Sequence, residues 1–176
     1  MVCHASNYGM KAPTFRVNVL QKSRGAVNLT NKQATYFLET YHALFPEIRK
    51  WHRDTIEKLK KERMLRNLFG YPRMFTQTIE PSMFKEAYAF VPQSTVGTIT
   101  NMAFTDLYHN KRIIELGADV IQNNHDSVLL QCKPEDADEV CALACEALNR
   151  EMISPYGEKF SMRSEACVGN NWGEMD

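Results

Sequence analysis

With 176 residues, 44% hydrophobic and 24% charged, the chain is long enough to bury a sizeable apolar centre, and one domain, or a core with a helical appendage, is expected. Its 21 basic and 21 acidic side chains cancel, so any nucleic-acid partner has to be held by a local basic face rather than by net charge. No apolar run approaches the roughly 20 residues that span a bilayer, and neither a membrane segment nor a signal peptide is expected.

Thr30 is a good N-cap, and Ala34, Phe37, Leu38, Tyr41 and Phe45 follow it at helical spacing until Pro46 interrupts. A second amphipathic helix starts near Pro46, a residue tolerated in a first turn. It turns Ile48, Trp51, Thr55, Ile56 and Leu59 inward, while Arg49, Lys50, Arg53, Lys58, Lys60, Lys61 and Arg63 crowd its other faces. Such a basic run is more commonly a solvated face than a phosphate-binding one.

The stretch LRNLFGYPRMF reads as a hairpin punctuated by Gly70 and Pro72. A helix is expected from about Thr95 to Tyr108, with Ile99, Met102, Ala103 and Leu107 on one face. Residues Val120 to Cys132 then read as strand, turn, strand, interrupted by Asn123, Asn124, His125 and Asp126. Pro134 opens a further helix whose start is complemented by Glu135, Asp136, Asp138 and Glu139, with Val140, Leu143, Ala144, Ala147 and Leu148 as its inward stripe. A last strand alternates Phe160, Met162, Ser164, Ala166 and Val168 with polar neighbours, and is expected in the same sheet as the Val120–Cys132 hairpin. Cys3, Cys132, Cys141, Cys145 and Cys167 lack the paired spacing of a zinc site and read as buried free thiols of a reducing compartment.

Five stretches carry a resemblance, in this order: NYGM at Asn7 to Met10, GYPR at Gly70 to Arg73, PQSTVGTITNMA at Pro92 to Ala103, NNHDSVLLQ at Asn123 to Gln131 and GNNWGEM at Gly169 to Met175. Together they make nearly the whole chain resemble the C-terminal part of family A DNA polymerases, in wording most similar to phage-type members. The resemblance implies an α+β protein: a helical, partial fingers portion over residues 1–61, then the C-terminal part of a palm over 62–176 with an antiparallel sheet.

It also implies a chemistry for the interrupted hairpin. Nucleotidyl transfer sends a primer hydroxyl in line at an α-phosphate, and hard divalent cations held by carboxylates stabilise the attacking and leaving oxygens. By resemblance Asp126 is a ligand of a two-metal magnesium site, and His125 lies against the primer terminus. Where the family usually has Glu, this chain has Ser127, so a second carboxylate is missing. Gln93 resembles the glutamine that reads the minor-groove edge, Lys85 and Arg73 stand where basic residues contact the duplex backbone, and Tyr8 resembles the tyrosine beside the templating base. His4 occupies the place where many members carry Phe or Tyr facing the incoming sugar, so sugar discrimination does not transfer.

In the family, a lysine for the triphosphate and a second catalytic aspartate precede the position of Met1. Asp106 and Asp119 lack the sequence context to replace that aspartate. The expected partners are therefore a DNA primer-template, deoxynucleoside triphosphates and an upstream polymerase fragment, without which the chain is inactive; the source is a split gene or a partial coding sequence. The expected location is the cytoplasm of a bacterium or phage-infected cell. A non-catalytic nucleic-acid-binding remnant is the alternative, opposed by the intact Asp126. A phosphohydrolase using His125 and Asp126 would need further ligands, and His42, His52 and His109 have no such arrangement.

Overall fold

A computed structural model describes residues 2–153 and 157–175. It has the expected α+β class, combining helices with three two-stranded antiparallel sheets among the described residues. The chain divides between Pro92 and Gln93 into two compact units. That boundary concerns packing, whereas the fingers and palm division expected at Lys61 concerns role; Lys61 lies near the end of a helix in the first unit.

The first unit begins with α1 (Val2–Asn7), α2 (Ala12–Lys22), α3 (Asn31–Leu44) and α4 (Pro46–Glu62). Thr30 caps α3 as its sequence predicts: the Gln33 N–H donates to Thr30 Oγ1 at 3.2 Å, and the Thr30 N–H donates to Gln33 Oε1 at 2.9 Å. Ala34 and Leu38 join Ala5 and Phe15 in a small core. Phe37 and Phe45, expected inside, are exposed, because that core involves only the Ala34 and Leu38 side of α3. Helix α4 buries Thr55 and Leu59 and exposes Lys50, Arg53, Lys58, Lys60 and Lys61, the solvated face its charge pattern suggested.

Strands β1 (Met64–Arg66) and β2 (Pro72–Met74) form the expected hairpin, with Leu65 opposite Arg73. Leu65, Phe75 and Leu59 pack with Met83 and Ala87 from α5 (Pro81–Tyr108). Helix α5 therefore starts well before Thr95, the expected start. Pro92 obscured this, since a proline inside a helix removes a hydrogen bond and costs about 3 kcal/mol. Burial of Met83, Ala87 and Tyr88 before it and of Ile99, Ala103 and Leu107 after it offsets the loss.

The second unit contains the rest of α5, then α6 (Lys111–Glu115), β3 (Asp119–Asn124), β4 (Ser127–Gln131), α7 (Ala137–Leu148), β5 (Glu151–Ile153) and β6 (Lys159–Ser161). Its core is Leu107, Ile113, Ala118, Val140 and Ala144, against which Val120, Val128, Leu130 and Cys132 of the hairpin side pack. Arg112 before the core residue Ile113 grips Glu139 of α7 with two hydrogen bonds, at 2.6 and 2.8 Å. That guanidinium holds the Glu139 carboxyl below its usual range.

Two expectations are corrected. The last strand is only Lys159–Ser161, and it pairs with β5 in a separate sheet rather than with β3 and β4. Its partner is short because β5 follows directly on α7, and the Asn149 side chain takes over as acceptor, receiving the Ser164 N–H at 2.7 Å. The cysteines are free, but none is fully buried: Cys3 and Cys167 are exposed and the others half-buried. Burial nevertheless pushes the Cys132 and Cys141 thiols up. No helix among the described residues is long and apolar enough to cross a membrane.

Candidate functional site

In the second unit, Asn124 pairs with Ser127, leaving His125 and Asp126 as a two-residue turn at the tip of the hairpin. His125 has φ +57°, the left-handed region a tight hairpin turn demands and which His tolerates better than most residues. Ser127, standing where the resemblance expects a carboxylate, closes the turn by donating its hydroxyl to the Asn124 carbonyl at 3.0 Å. Asp126 is exposed at this tip.

The hairpin contains a bulge that sequence alternation did not announce. Val120 faces Leu130, yet the next pair is Gln122 with Leu129, so Ile121 is the extra residue. Strict alternation would put Gln122 and Asn124 on the side of Val120. With the bulge, the half-buried positions are Val120 and Asn123, and Asn123 Nδ2 donates to Asn101 Oδ1 of α5 at 2.5 Å. Asn101 was not singled out in the sequence by itself; it lies within the motif PQSTVGTITNMA, among other small polar residues. Gln93 is exposed on the same helix, about 12 Å before Asn101 along the axis.

Asp106 and Asp119, the two other carboxylates weighed in the sequence, are engaged or placed elsewhere. Asp106 is ion-paired with Arg150. Asp119 lies at the opposite end of β3, facing Gln131, roughly 17 Å along the strand from the turn. Among the described residues no group of three His, Cys, Asp or Glu could hold a metal ion. The Asp126 carboxylate offers hard oxygen donors of the kind that divalent cations take.

In the first unit, NYGM ends α1. The Gly9 N–H donates to the Ser6 carbonyl at 3.1 Å and the Met10 N–H to the Ala5 carbonyl at 2.8 Å, the paired bonds of a Schellman cap. Gly9 supplies the φ of +66° that this cap requires. Tyr8 is half-buried at the cap, and its ring meets His4, one turn earlier, edge-on at 4.7 Å. The two expected nucleotide-binding residues are therefore neighbours.

Lys85 is exposed on α5. Arg73 is held more firmly than its sequence context suggests. Its guanidinium pairs with Glu86 at 2.8 Å and lies over Phe75 and Phe90, at 4.9 and 5.8 Å from the ring centres.

The sequence model of DNA polymerase family A matches residues 2–174. Thermostable DNA polymerase I of Thermus caldophilus is 27% identical over 147 residues, covering 80% of this chain and 17% of that one. Its counterpart from Thermus thermophilus is 25% identical over 171 residues, covering 94% and 19%, and DNA polymerase theta of Caenorhabditis elegans is 23% identical over 180 residues, covering 99% and 10%. The chain thus spans about a fifth or less of the length of these relatives. Among solved structures, the POL domain of Pol1 from M. smegmatis in complex with DNA primer-template and dNTP superposes with a TM-score of 0.67 at 16% identity, covering 84% of this chain and 26% of that one.

Proposed function

We propose, from the premise that the chain belongs to DNA polymerase family A, that it takes part in template-directed DNA synthesis and contributes the hairpin carboxylate Asp126 to the transfer site. The observation that carries this reading is Asp126 itself, exposed in a two-residue turn whose strands pack on α7 and whose Asn123 is tied to Asn101. A packed hairpin fixes the carboxylate without ordering cost at the moment of reaction.

Asp126 would hold magnesium, which when bound stabilises the negative charge developing on the attacking and leaving oxygens. The chain's own residues bind and orient. His125 lies beside the carboxylate to meet the primer terminus; Gln93 offers an exposed amide, which can both donate and accept at a base edge. Lys85 and Arg73 serve the duplex backbone, and Tyr8 with His4 the incoming nucleotide. The second aspartate and the triphosphate-binding lysine come from outside these residues, N-terminal in the same polypeptide or on a partner. The wording of the five motifs together is most similar to phage-type members, and the reading extends to a phage-type member acting in the cytoplasm of a bacterium or infected host.

The test is primer extension on a gel. The chain alone should incorporate no nucleotide. Mixed with a family A fragment bearing the N-terminal remainder, it should recover magnesium-dependent synthesis, and Asp126→Ala should cut that synthesis at least about 10²-fold while the mixture still assembles. Unchanged synthesis by the mutant mixture would reduce Asp126 to a turn residue.

A further inference from the structure

A helix leaves its last carbonyls without intrahelical donors. At the end of α1 the Schellman cap takes the Ala5 and Ser6 carbonyls, and the Tyr8 N–H takes that of His4 at 3.2 Å. The next carbonyl, Asn7, sits directly before Tyr8 and receives its donor from a distant side chain. His52 Nε2 on α4 lies 2.8 Å from Asn7 O. A carbonyl oxygen only accepts, so the imidazole carries its proton on Nε2 and donates it.

Two further contacts converge on the same residue pair, and a third reaches Gly9 beside it. Tyr41 of α3 donates its hydroxyl to the Asn7 side-chain oxygen at 3.0 Å. The Tyr88 ring of α5 stacks on His52, with centres 4.0 Å apart and planes at 25°. The same ring meets Gly9 so closely that a Cβ there would stand 3.1 Å from Tyr88 Cε2. Asn7 and Gly9, the two neighbours of Tyr8, are thus each gripped, one by hydrogen bonds and one by a ring that His52 itself supports. Tyr8 itself lies between them, with its ring edge-on to His4.

We infer that His52 is a positioning residue for nucleotide binding: its Nε2–H and its stack on Tyr88 fix the Asn7–Gly9 backbone, and through it the direction of the Tyr8 ring. The inference rests on the reading of Tyr8 as a nucleotide-binding residue. His52 touches no substrate; it acts by sparing the bound state the cost of ordering the end of α1, so its loss weakens nucleotide binding without altering the transfer step.

The test compares His52→Leu, which keeps bulk and removes the donor, with His52→Gln, whose amide nitrogen reaches about as far as Nε2. Both variants are first checked for retained helix content by circular dichroism. Hydrogen exchange in the peptide covering residues 2–10 of the full chain should speed up about tenfold in His52→Leu and return towards the parent rate in His52→Gln. In the mixture that extends primers, the KM for deoxynucleoside triphosphate should rise about tenfold in His52→Leu with kcat retained, and the Gln variant should restore most of it.

Unchanged exchange overturns the clamp. Faster exchange with unchanged KM, while Tyr8→Ser raises KM, overturns the positioning role and leaves the nucleotide reading intact. Unchanged KM in both His52→Leu and Tyr8→Ser, or a mixture with no synthesis to measure, removes the nucleotide reading and this inference with it.

Discussion

Gly9 shows how little of a residue's task is visible in its name. In the sequence it is one letter of NYGM; in the fold it combines a φ of +66° with a neighbour, the Tyr88 ring, that a methyl group would have to displace slightly. Gly9→Ala should therefore destabilise the first unit by about 1–3 kcal/mol, combining left-handed strain with the displaced ring. Urea unfolding followed by tryptophan fluorescence reads this, since Trp51 lies 5.8 Å from the Tyr88 ring. A stability equal to the parent would mean that Tyr88 moves aside at no cost. Arg73 teaches the complementary lesson. Its charge suggested a phosphate contact, but the nearby Phe75 and the distant Glu86 and Phe90 share its guanidinium, and no local pattern announces the last two.

At the scale of elements, the hairpin is the part of the site most legible beforehand, because two apolar stretches flanking a polar run can fold back in few ways. The bulge at Ile121 was not legible, since an extra residue in a strand leaves no mark in a short, mixed alternation. It decides that Asn123 rather than Gln122 reaches α5. Asn123→Ala, which removes the bond to Asn101, should lower stability by about 0.5–1.5 kcal/mol. It should also reduce primer extension by the mixture more than that small loss of folded chain explains, because the turn bearing Asp126 is less well held. Thermal unfolding and extension rates measured on the same preparation separate the two effects; activity falling only in proportion to folded chain would dismiss the tether. Helix α5 was half-legible for a different reason: Pro92 is a local obstacle that packing on both sides overrides.

At the scale of the whole molecule, the first unit contains two histidines pushed below their ordinary value of 6.5, His42 by burial and then by Arg49 and His52, and His52 by burial against a smaller opposing effect from its bond to Asn7. Between the lowered folded values and 6.5, the unfolded chain binds protons that the folded chain does not. Stability is then fully present above about pH 6.5 and is lost as pH falls through that value towards the folded ones. The facing groups are Arg49 and Glu39 near His42, and Asn7, Trp51 and Tyr88 around His52; Tyr88 and Tyr41 are raised by burial from 10.0 and titrate far above this window. Melting temperature recorded from pH 7.5 down to about pH 5.5 should fall, and His52→Leu should flatten the slope. A parent curve with no slope there would show that neither imidazole is kept neutral by the fold.

The sequence by itself determined what local chemistry encodes. Thr30 and Gln33 close a capping box within four residues, Pro46 opens a helix at a position where a proline is tolerated, and the order of five short motifs marks the family without reference to any contact. Tertiary structure alone decided what depends on distant partners: that Asn101 holds the hairpin, that Arg150 pairs with Asp106, that the strand from Lys159 ends at Ser161, opposite the start of β5, and that His52 supplies the proton for Asn7. The physical reason is the same in each case. A cap or a turn is satisfied by groups that the chain's own geometry brings together, whereas a side-chain hydrogen bond between separate elements exists only after apolar burial has fixed where those elements lie.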